Sequence, residues 1–565
     1  MLESLTKKAQ VVLRDSFGVA DVPLEWHRPQ DISHGDASSA VALRIAKQTG
    51  KKPREVAEEL CNALSAVEEV EKAEVAGPGY VNVWLTPAAL LQALNETREA
   101  CTARVKRSGE QPVIVEYSAP NIAKPLGIHH ILSTVIGQSL ANLHRHLGYE
   151  VVAINHLGDW GTQFGKLAVA MQSWSEKPVE ECTLDELLAL YVRFHEEAEK
   201  DASLDDKARA AFKKIESGDA ELRAFWKEVV RITMEQLNVL YARLHVSFDY
   251  THGESFYEDK MQPILEEGKK KGVFKEGREG ALIAEFPEET NLSPAIVLKA
   301  DDATIYFTRD LATARYRIDT FHPREMLYVV DIAQEYYFKQ LFAALEQLEW
   351  ELPHMEHVVF GRMGFADGQM STRKGNIVRL EHVLDEAFKR AEKVIQDHGD
   401  AIQTDDPHAL AEMMGVGAVV YSVLSQNRKM NMTFDWEKAL SFDGNSAPYL
   451  QYTHARARSV LRKADEDVSD FPTSLQTLVE KERTLVGTLL EFSRILEEAR
   501  VTRMPHTLAN YLYRLCQDYN AFYNDLPILK AEGPSRPLRL ALTQCTASVL
   551  KAGAEILTLR VPECM

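Results

Sequence analysis

Along residues 37–64 (ASSAVALRIAKQTGKKPREVAEELCNAL), apolar positions recur at intervals of three and four, with a break from Gly50 to Pro53. That spacing predicts two amphipathic helices joined by a tight turn. From 70 to 94 (VEKAEVAGPGYVNVWLTPAALLQAL) the pattern changes to alternating stretches around a Gly-Pro-Gly turn, then back to helical period, so residues 1–107 read as a small α+β domain. The polar run TARVKRSGEQ reads as a linker. After it, PVIVEYS is short and rich in Val and Ile, as a buried parallel strand should be, and a loop containing proline leads to the helical pattern ILSTVIGQSLANLHRHLG and a second such strand, YEVVAIN. Strand, loop, helix, strand is the opening of a Rossmann-type half, whose ligands sit beyond the strand C-termini.

Residues from about 175 to 245 are highly charged with helical period, a helical insertion. Two later runs, PAIVLKADDATIYFTRD and REMLYVVD, fit strands of the second half. From 405 onward nearly every window is helical and no strand is expected. The expected organisation is therefore a multidomain α/β chain. It has an N-terminal α+β domain (1–107), a Rossmann-type catalytic domain with an insertion (108–404) and an all-α C-terminal bundle (405–565).

Composition narrows the class. A chain of 565 residues with 45% hydrophobic and 26% charged residues has the balance of folded protein rather than of a disordered chain, and is too long for one core. The N-terminal stretch MLESLTKKAQVVLRDSF intersperses charges among isolated apolar residues, and no uninterrupted apolar run is long enough to cross a bilayer, so a cytoplasmic protein without membrane contact is expected. Cys61, Cys101, Cys182, Cys516, Cys545 and Cys564 are scattered with no C-x-x-C pair, which argues against a disulfide framework and a thiolate zinc site. A net charge of −19 opposes a protein that spreads over a phosphate backbone, unless basic groups are concentrated locally.

The stretch from Glu116 to Leu167, EYSAPNIAKPLGIHHILSTVIGQSLANLHRHLGYEVVAINHLGDWGTQFGKL, resembles the catalytic entry of arginyl-tRNA synthetases. ATIYFTRDLATARYR, MSTRKGNIVRLEHVLDEA, GNSAPYLQYTHARARSVLRKA and the ending VPEC-Met565 resemble the same family in the same order, so the likeness runs essentially end to end. It implies an arginine-tRNA ligase that activates L-arginine with ATP and transfers it to the 3′ end of tRNA(Arg).

Such chemistry needs positioned donors for the charge that builds on phosphate oxygens. Class I synthetases carry an H-x-G-H motif on the first helix; here Gly127, Ile128, His129 and His130 occupy it, and only His130 matches in identity and register. Adjacent side chains on a helix diverge by about 100°, so His129 and His130 share a face only where the first turn is irregular; either the site has decayed, or His129 takes over from the missing first histidine through a local shift. The second signature resembles Gln369, Met370, Ser371, Thr372 and Arg373, followed by Lys374 and Gly375. Thr372 stands where a lysine is usual, and Lys124, just before the first motif, is the compensating cation the resemblance implies. The implied ATP contacts are thus Gly127, His130, Lys124, Met370, Ser371, Arg373 and Lys374, with His129, His130, Lys124 and Lys374 in catalytic roles.

Selecting arginine requires a carboxylate for the guanidinium fork. The resemblance assigns this to Asp310 with Tyr306, four residues apart, and adds Gln334 after MLYVVD. Glu116 and Asn121 are assigned to the substrate's backbone end and Ala119 and Pro120 to the wall, with His130 also in contact. Taken singly, Asp310 also reads as a helix N-cap, Tyr306 as core packing and Asn121 as a loop hydrogen bond. For tRNA, the basic run His454, Arg456, Arg458, Arg462 and Lys463 and the aromatic-rich segment YLYRLCQDYNAFYNDLPIL suit splayed anticodon bases. Tyr80 and Asn82 resemble positions that read a D-loop base.

The implied partners are tRNA(Arg), L-arginine and ATP with Mg²⁺, with no tightly bound cofactor, no protein-only metal site and a monomeric chain. Two other readings stay open at this point: a catalytically silent tRNA-binding paralogue, and a Rossmann nucleotidyl transferase or synthetase for another amino acid.

Overall fold

The computed structural model describes residues 2–19, 22–29, 31–102, 107, 109–277, 280–300, 304–365, 378–399, 402–466, 471 and 477–565. In the N-terminal domain, helices Val41–Thr49 and Pro53–Leu64 flank the break at Gly50, which closes the first helix in a left-handed cap, and Pro53 opens the second. They pack on an antiparallel sheet ordered Ala37–Ser39, Tyr80–Leu85, Val70–Ala76, the last two strands forming a hairpin that turns at Gly77–Gly79.

The catalytic sheet has five parallel strands: β1 (Val113–Glu116), β2 (Val151–Asn155), β3 (Tyr250–Thr251), β4 (Glu325–Tyr328) and β5 (His354–His357). Their order is β5-β4-β1-β2-β3. This is the Rossmann order, in which connections leave β1 and β4 in opposite directions and open a crevice at their C-terminal ends. β1 and β4 are buried on both faces, as the apolar runs Val113–Val115 and Met326–Tyr328 require, and each strand also buries one glutamate, Glu116 or Glu325.

Two expectations need correction. Ala295–Leu298 does not join the parallel sheet; it pairs antiparallel with Leu282–Ala284, which pairs with Phe274–Glu276. Its Ile296 lies 49% exposed, so the strand has only one apolar face to bury. And a strand does lie beyond residue 405: Met432–Phe434 pairs in parallel with Met363–Phe365.

The insertion forms helices Leu184–Ala198, Ser203–Glu216 and Ala220–Arg243, with their own apolar core around Trp160, Phe164 and Leu187. The C-terminal region is otherwise helical, from Pro407–Leu424 to Ser535–Ile556. Pro407–Leu424 is long and apolar enough to span a bilayer, a helix the sequence reading did not single out, but two thirds of it is buried inside the fold. All six cysteines are free.

Candidate active site

The loop leaving β1 is held in an unusual conformation by buried polar groups. Ser118 and Ala119 both have positive φ, 70° and 48°, which costs non-glycine residues free energy and persists only where the surroundings fix it. Here they do. The Ser118 amide donates to Ser133 Oγ at 2.9 Å, the Ala119 amide to Asn155 Oδ1 at 3.1 Å, and Ser118 Oγ meets the Tyr241 hydroxyl at 2.8 Å. Ser133 in turn donates to the Val329 carbonyl beyond β4 at 2.6 Å, so one serine ties both sides of the crevice. Pro120 and Asn121 then lie against Gly158, whose amide donates to the Pro120 carbonyl at 3.0 Å. Asn121 is exposed, with its carboxamide over Gly158 where a Cβ would stand 2.3 Å from Oδ1.

The helix His130–His146 begins after a tight turn in which the His130 amide reaches the Gly127 carbonyl and that of Ile131 the Ile128 carbonyl, at 3.0 and 3.1 Å. His129 therefore precedes the regular helix. The first turn is irregular, and the two imidazoles lie side by side, centroids 4.0 Å apart. Burial and then the neighbouring His129 push His130 down to about 4, so it is neutral near pH 7. Its Nδ1 lies 3.0 Å from the Gly127 amide nitrogen and 3.1 Å from the Gly127 carbonyl oxygen, so the loop holds this nitrogen in either tautomer. His129 is lowered by burial, opposed by Asp331. Lys124 is exposed and its Nζ sits 5.2 Å from the Tyr191 ring of the helical insertion, so this cation borders that insertion.

Gln369, Met370, Ser371, Thr372, Arg373, Lys374 and Gly375 lie outside the described residues. Their flanks are placed: Met363–Phe365 pairs with Met432–Phe434, and beyond residue 377 the Ile128 amide donates to the Val378 carbonyl (2.8 Å) and the Leu380 amide to the Leu126 carbonyl (2.9 Å).

Acid gathers on the other side of the crevice. Helix Tyr306–Phe321 begins at Tyr306, so Asp310 lies inside it and is not its N-cap. Tyr306 is 60% exposed and is not core packing; Arg309 stands 5.3 Å from its ring. Arg309 is buried and bonds Glu254 at 2.8 Å; Arg317, fully buried, pairs with Glu116. Glu116 is thus committed through Oε2 to Arg317, and its charge acts on Asp310. Asp310 has Tyr337 donating to Oδ2 and His156 Nε2 3.9 Å from Oδ1. Burial first, and Glu116 in addition, push the Asp310 carboxyl up to about 7 against the Tyr337 hydrogen bond. Gln334 closes a short 3₁₀ turn beyond β4 and is exposed.

Sequence reasoning missed His156, Glu254, Arg309, Arg317 and Tyr337. His156 follows β2 directly, and the rule that ligands gather at strand C-termini would have found it; the other four reach the pocket through contacts over long sequence separations and carry no local signal.

The chain matches three family models in order: the arginyl tRNA synthetase N-terminal domain over residues 3–85, the class I (R) tRNA synthetase catalytic domain over 90–436 and the DALR anticodon binding domain over 450–565. It is 40% identical over 539 residues to an arginine–tRNA ligase of Fusobacterium nucleatum, covering 95% of this chain and 94% of that one. The chain belongs to the arginyl-tRNA synthetase family. A second family member, the arginine–tRNA ligase of Enterococcus faecalis, is 38% identical with 99% of both chains covered. The Thermus thermophilus arginyl-tRNA synthetase structure superposes over the whole of both chains with a TM-score of 0.81 at 27% identity. That of Plasmodium falciparum, at 22% identity and a TM-score of 0.84, shares the fold.

The residues that the family resemblance assigns to RNA are placed unequally. Arg456 and Arg462 line a C-terminal groove of about 1100 Å³, together with Lys463, Lys530, Tyr452 and Tyr523. Arg456 lies between the Tyr452 and Tyr523 rings, 4.7 and 4.9 Å from their centroids. Arg458 is instead bonded to Glu563 at 2.7 Å and does not line the groove. Tyr80 is exposed, whereas Asn82, on the same strand, is 4% exposed and accepts from Ser38 Oγ at 2.7 Å. Among the described residues no cluster of His, Cys, Asp and Glu has the form of a metal site.

Proposed function

We propose that this chain is an active arginine-tRNA ligase whose crevice between β1 and β4 takes the guanidinium at Asp310 and the ATP phosphates at His129 and His130. The arginine carboxylate oxygen attacks the α-phosphorus of ATP and pyrophosphate leaves. The terminal ribose hydroxyl of tRNA(Arg) then attacks the adenylate carbonyl, and AMP leaves with the bonding pair. Asp310 carries the reading, because a half-buried carboxylate with no arginine or lysine bonded to it among the described residues has the charge that a substrate guanidinium supplies. The neutral His130 side chain suits its role as a hydrogen-bond donor to phosphate, and His129 beside it supports its taking over from the absent first histidine.

Asn121 and Gln334, exposed at the crevice rim, fit the substrate's amino and carboxylate end, with Ala119 and Pro120 as wall; Glu116 fits better with the guanidinium end. ATP enters as its Mg²⁺ complex. Arg456, set between two tyrosines, and Arg462 in the same C-terminal groove support an anticodon role for it. Six free cysteines accord with a reducing, cytoplasmic setting, and a monomer without membrane contact is the corresponding proposal.

Incubation with ATP, arginine and purified tRNA(Arg) tests this. Arginyl-tRNA and AMP form on this reading; RNA binding with no AMP released means a silent paralogue, and turnover with another amino acid removes Asp310 from its role.

A further inference from the structure

Helix Tyr306–Phe321 meets three buried or half-buried carboxylates and answers them differently. Glu254 is bonded by Arg309 at 2.8 Å and Glu116 is paired with Arg317, both arginines coming from the helix itself. Asp310 receives neither. Its Oδ1 faces His156 Nε2 at 3.9 Å, too far for a hydrogen bond. His156 Nδ1 lies 3.1 Å from the His252 carbonyl and donates to it, so in the neutral ring Nε2 carries a lone pair and no hydrogen. Burial pushes His156 down to about 4 and keeps the ring neutral. Asp310 Oδ1 therefore has no donor on that side, while Oδ2 is held by the Tyr337 hydroxyl.

We infer that Tyr337 is a positioning residue for arginine capture: it pins Oδ2 of Asp310 and so presents Oδ1 to the incoming guanidinium. The inference rests on the reading of Asp310 as the guanidinium partner. Tyr337 comes from helix Glu335–Gln347, the element after β4, and its orientation is fixed without substrate. Phe307 and Phe338 pack edge-on against its ring, with centroids at 5.9 and 5.8 Å. Burial raises the phenol well above its ordinary value, so it stays a donor throughout the working range.

The same hydroxyl sets when Asp310 ionises. Facing this carboxyl are Glu116 from β1, His156 from the loop after β2, Glu254 from the turn that follows β3, and Arg309 and Arg317 from its own helix. Burial and Glu116 favour the protonated form. The Tyr337 hydrogen bond and the two arginines favour the carboxylate. Removing the hydroxyl leaves Asp310 free to rotate and easier to protonate, and both changes weaken the grip on a guanidinium while leaving the phosphate side untouched.

The test is Y337F in the full chain, which deletes one oxygen from a packed ring, with aminoacylation followed across pH and the melting temperature as a check on folding. We expect KM for arginine to rise about tenfold, the worth of one hydrogen bond to a charged group, with kcat and KM for ATP unchanged. The acid limb of kcat/KM for arginine moves to higher pH. An unaltered KM for arginine, or equal rises in the KM values for arginine and ATP, overturns the inference while wild-type turnover with arginine upholds the proposed function. Failure of the wild-type chain to use arginine overturns both.

Discussion

Arg483 grips Asp36 through two hydrogen bonds, Nε to Oδ1 at 2.9 Å and Nη2 to Oδ2 at 2.6 Å, and so joins the C-terminal helices to the N-terminal domain. Nη2 also donates to the Leu85 carbonyl at 2.7 Å. Close by, Arg28 reaches back the other way to Thr488 Oγ1 and the Thr484 carbonyl, at 2.6 and 2.8 Å. The Arg483 and Asp36 side chains are only 15% and 8% exposed, so removing one partner strands the other charge away from water. Arg483→Ala should destabilise the protein by about 3–5 kcal/mol, read as a lowered denaturation midpoint. The pair of changes D36N and R483M should recover part of the loss; a midpoint unmoved by Arg483→Ala means the two domains are held together elsewhere.

Asp310→Asn keeps the side chain's size and the pocket's shape but removes its charge. It should lower kcat/KM for arginine by at least about 30-fold, since losing one partner of a desolvated charge pair costs about 2–5 kcal/mol. KM for ATP should hold. Near-normal use of arginine by this variant would eliminate Asp310 as the guanidinium partner.

The raised Asp310 carboxyl also makes arginine capture depend on pH. In the empty pocket it titrates near 7 instead of the ordinary 3.8, and a bound guanidinium pulls it back down. Arginine binding therefore expels a proton below about pH 7, and affinity falls as pH drops, by up to about tenfold per unit. Calorimetry at pH 6 in buffers of different ionisation enthalpy should register this release. Because the folded value lies above the unfolded one, Asp310's contribution to stability is greatest below about pH 4 and declines as pH rises toward 7. Saturating arginine should reverse that decline.

His130→Ala should lower kcat for adenylate formation by about 100-fold, the usual effect of losing one positioned donor to a charged transition state. As His130 titrates only near 4, this contribution should be constant from pH 6 to 8. A kcat profile in that range whose limb disappears in H130A would contradict a permanently neutral imidazole.

Gly158→Ala probes the Asn121 position. A methyl group there would lie 2.3 Å from Asn121 Oδ1, the movable end of a side chain, so the fold should survive and the carboxamide should swing aside. The expected signature is a higher KM for arginine with an unchanged melting temperature; a lowered melting temperature with normal KM would place the strain in the backbone instead.

How far the sequence foretold this site depends on the range of the contacts involved. The helices around Gly50, the buried β1 and β2 and the helical insertion were legible because period and turn chemistry are local. β3 and β5 were not: Tyr250–Thr251 is two residues long and His354–His357 is polar, so neither presents an apolar run. Nothing local marks Arg309 and Arg317, and only the fold brings Glu254 and Glu116 to them, 55 residues away in the first case. The burial of Asn82 and its bond to Ser38 likewise come from strand pairing and carry no local signal. The adjacent histidines of the first signature met through the irregular turn that the sequence required.

The pairing of Met363–Phe365 with Met432–Phe434 has a consequence for how the chain can be divided. Severing it after residue 404 would strip one strand of its neighbour and uncover the apolar side of helix Leu380–His398, against which Pro407–Leu424 packs. Such a fragment would carry a bare edge prone to self-association. A piece retained through residue 436 would keep both, so the Rossmann half borrows its finish from sequence that lies beyond its own last helix.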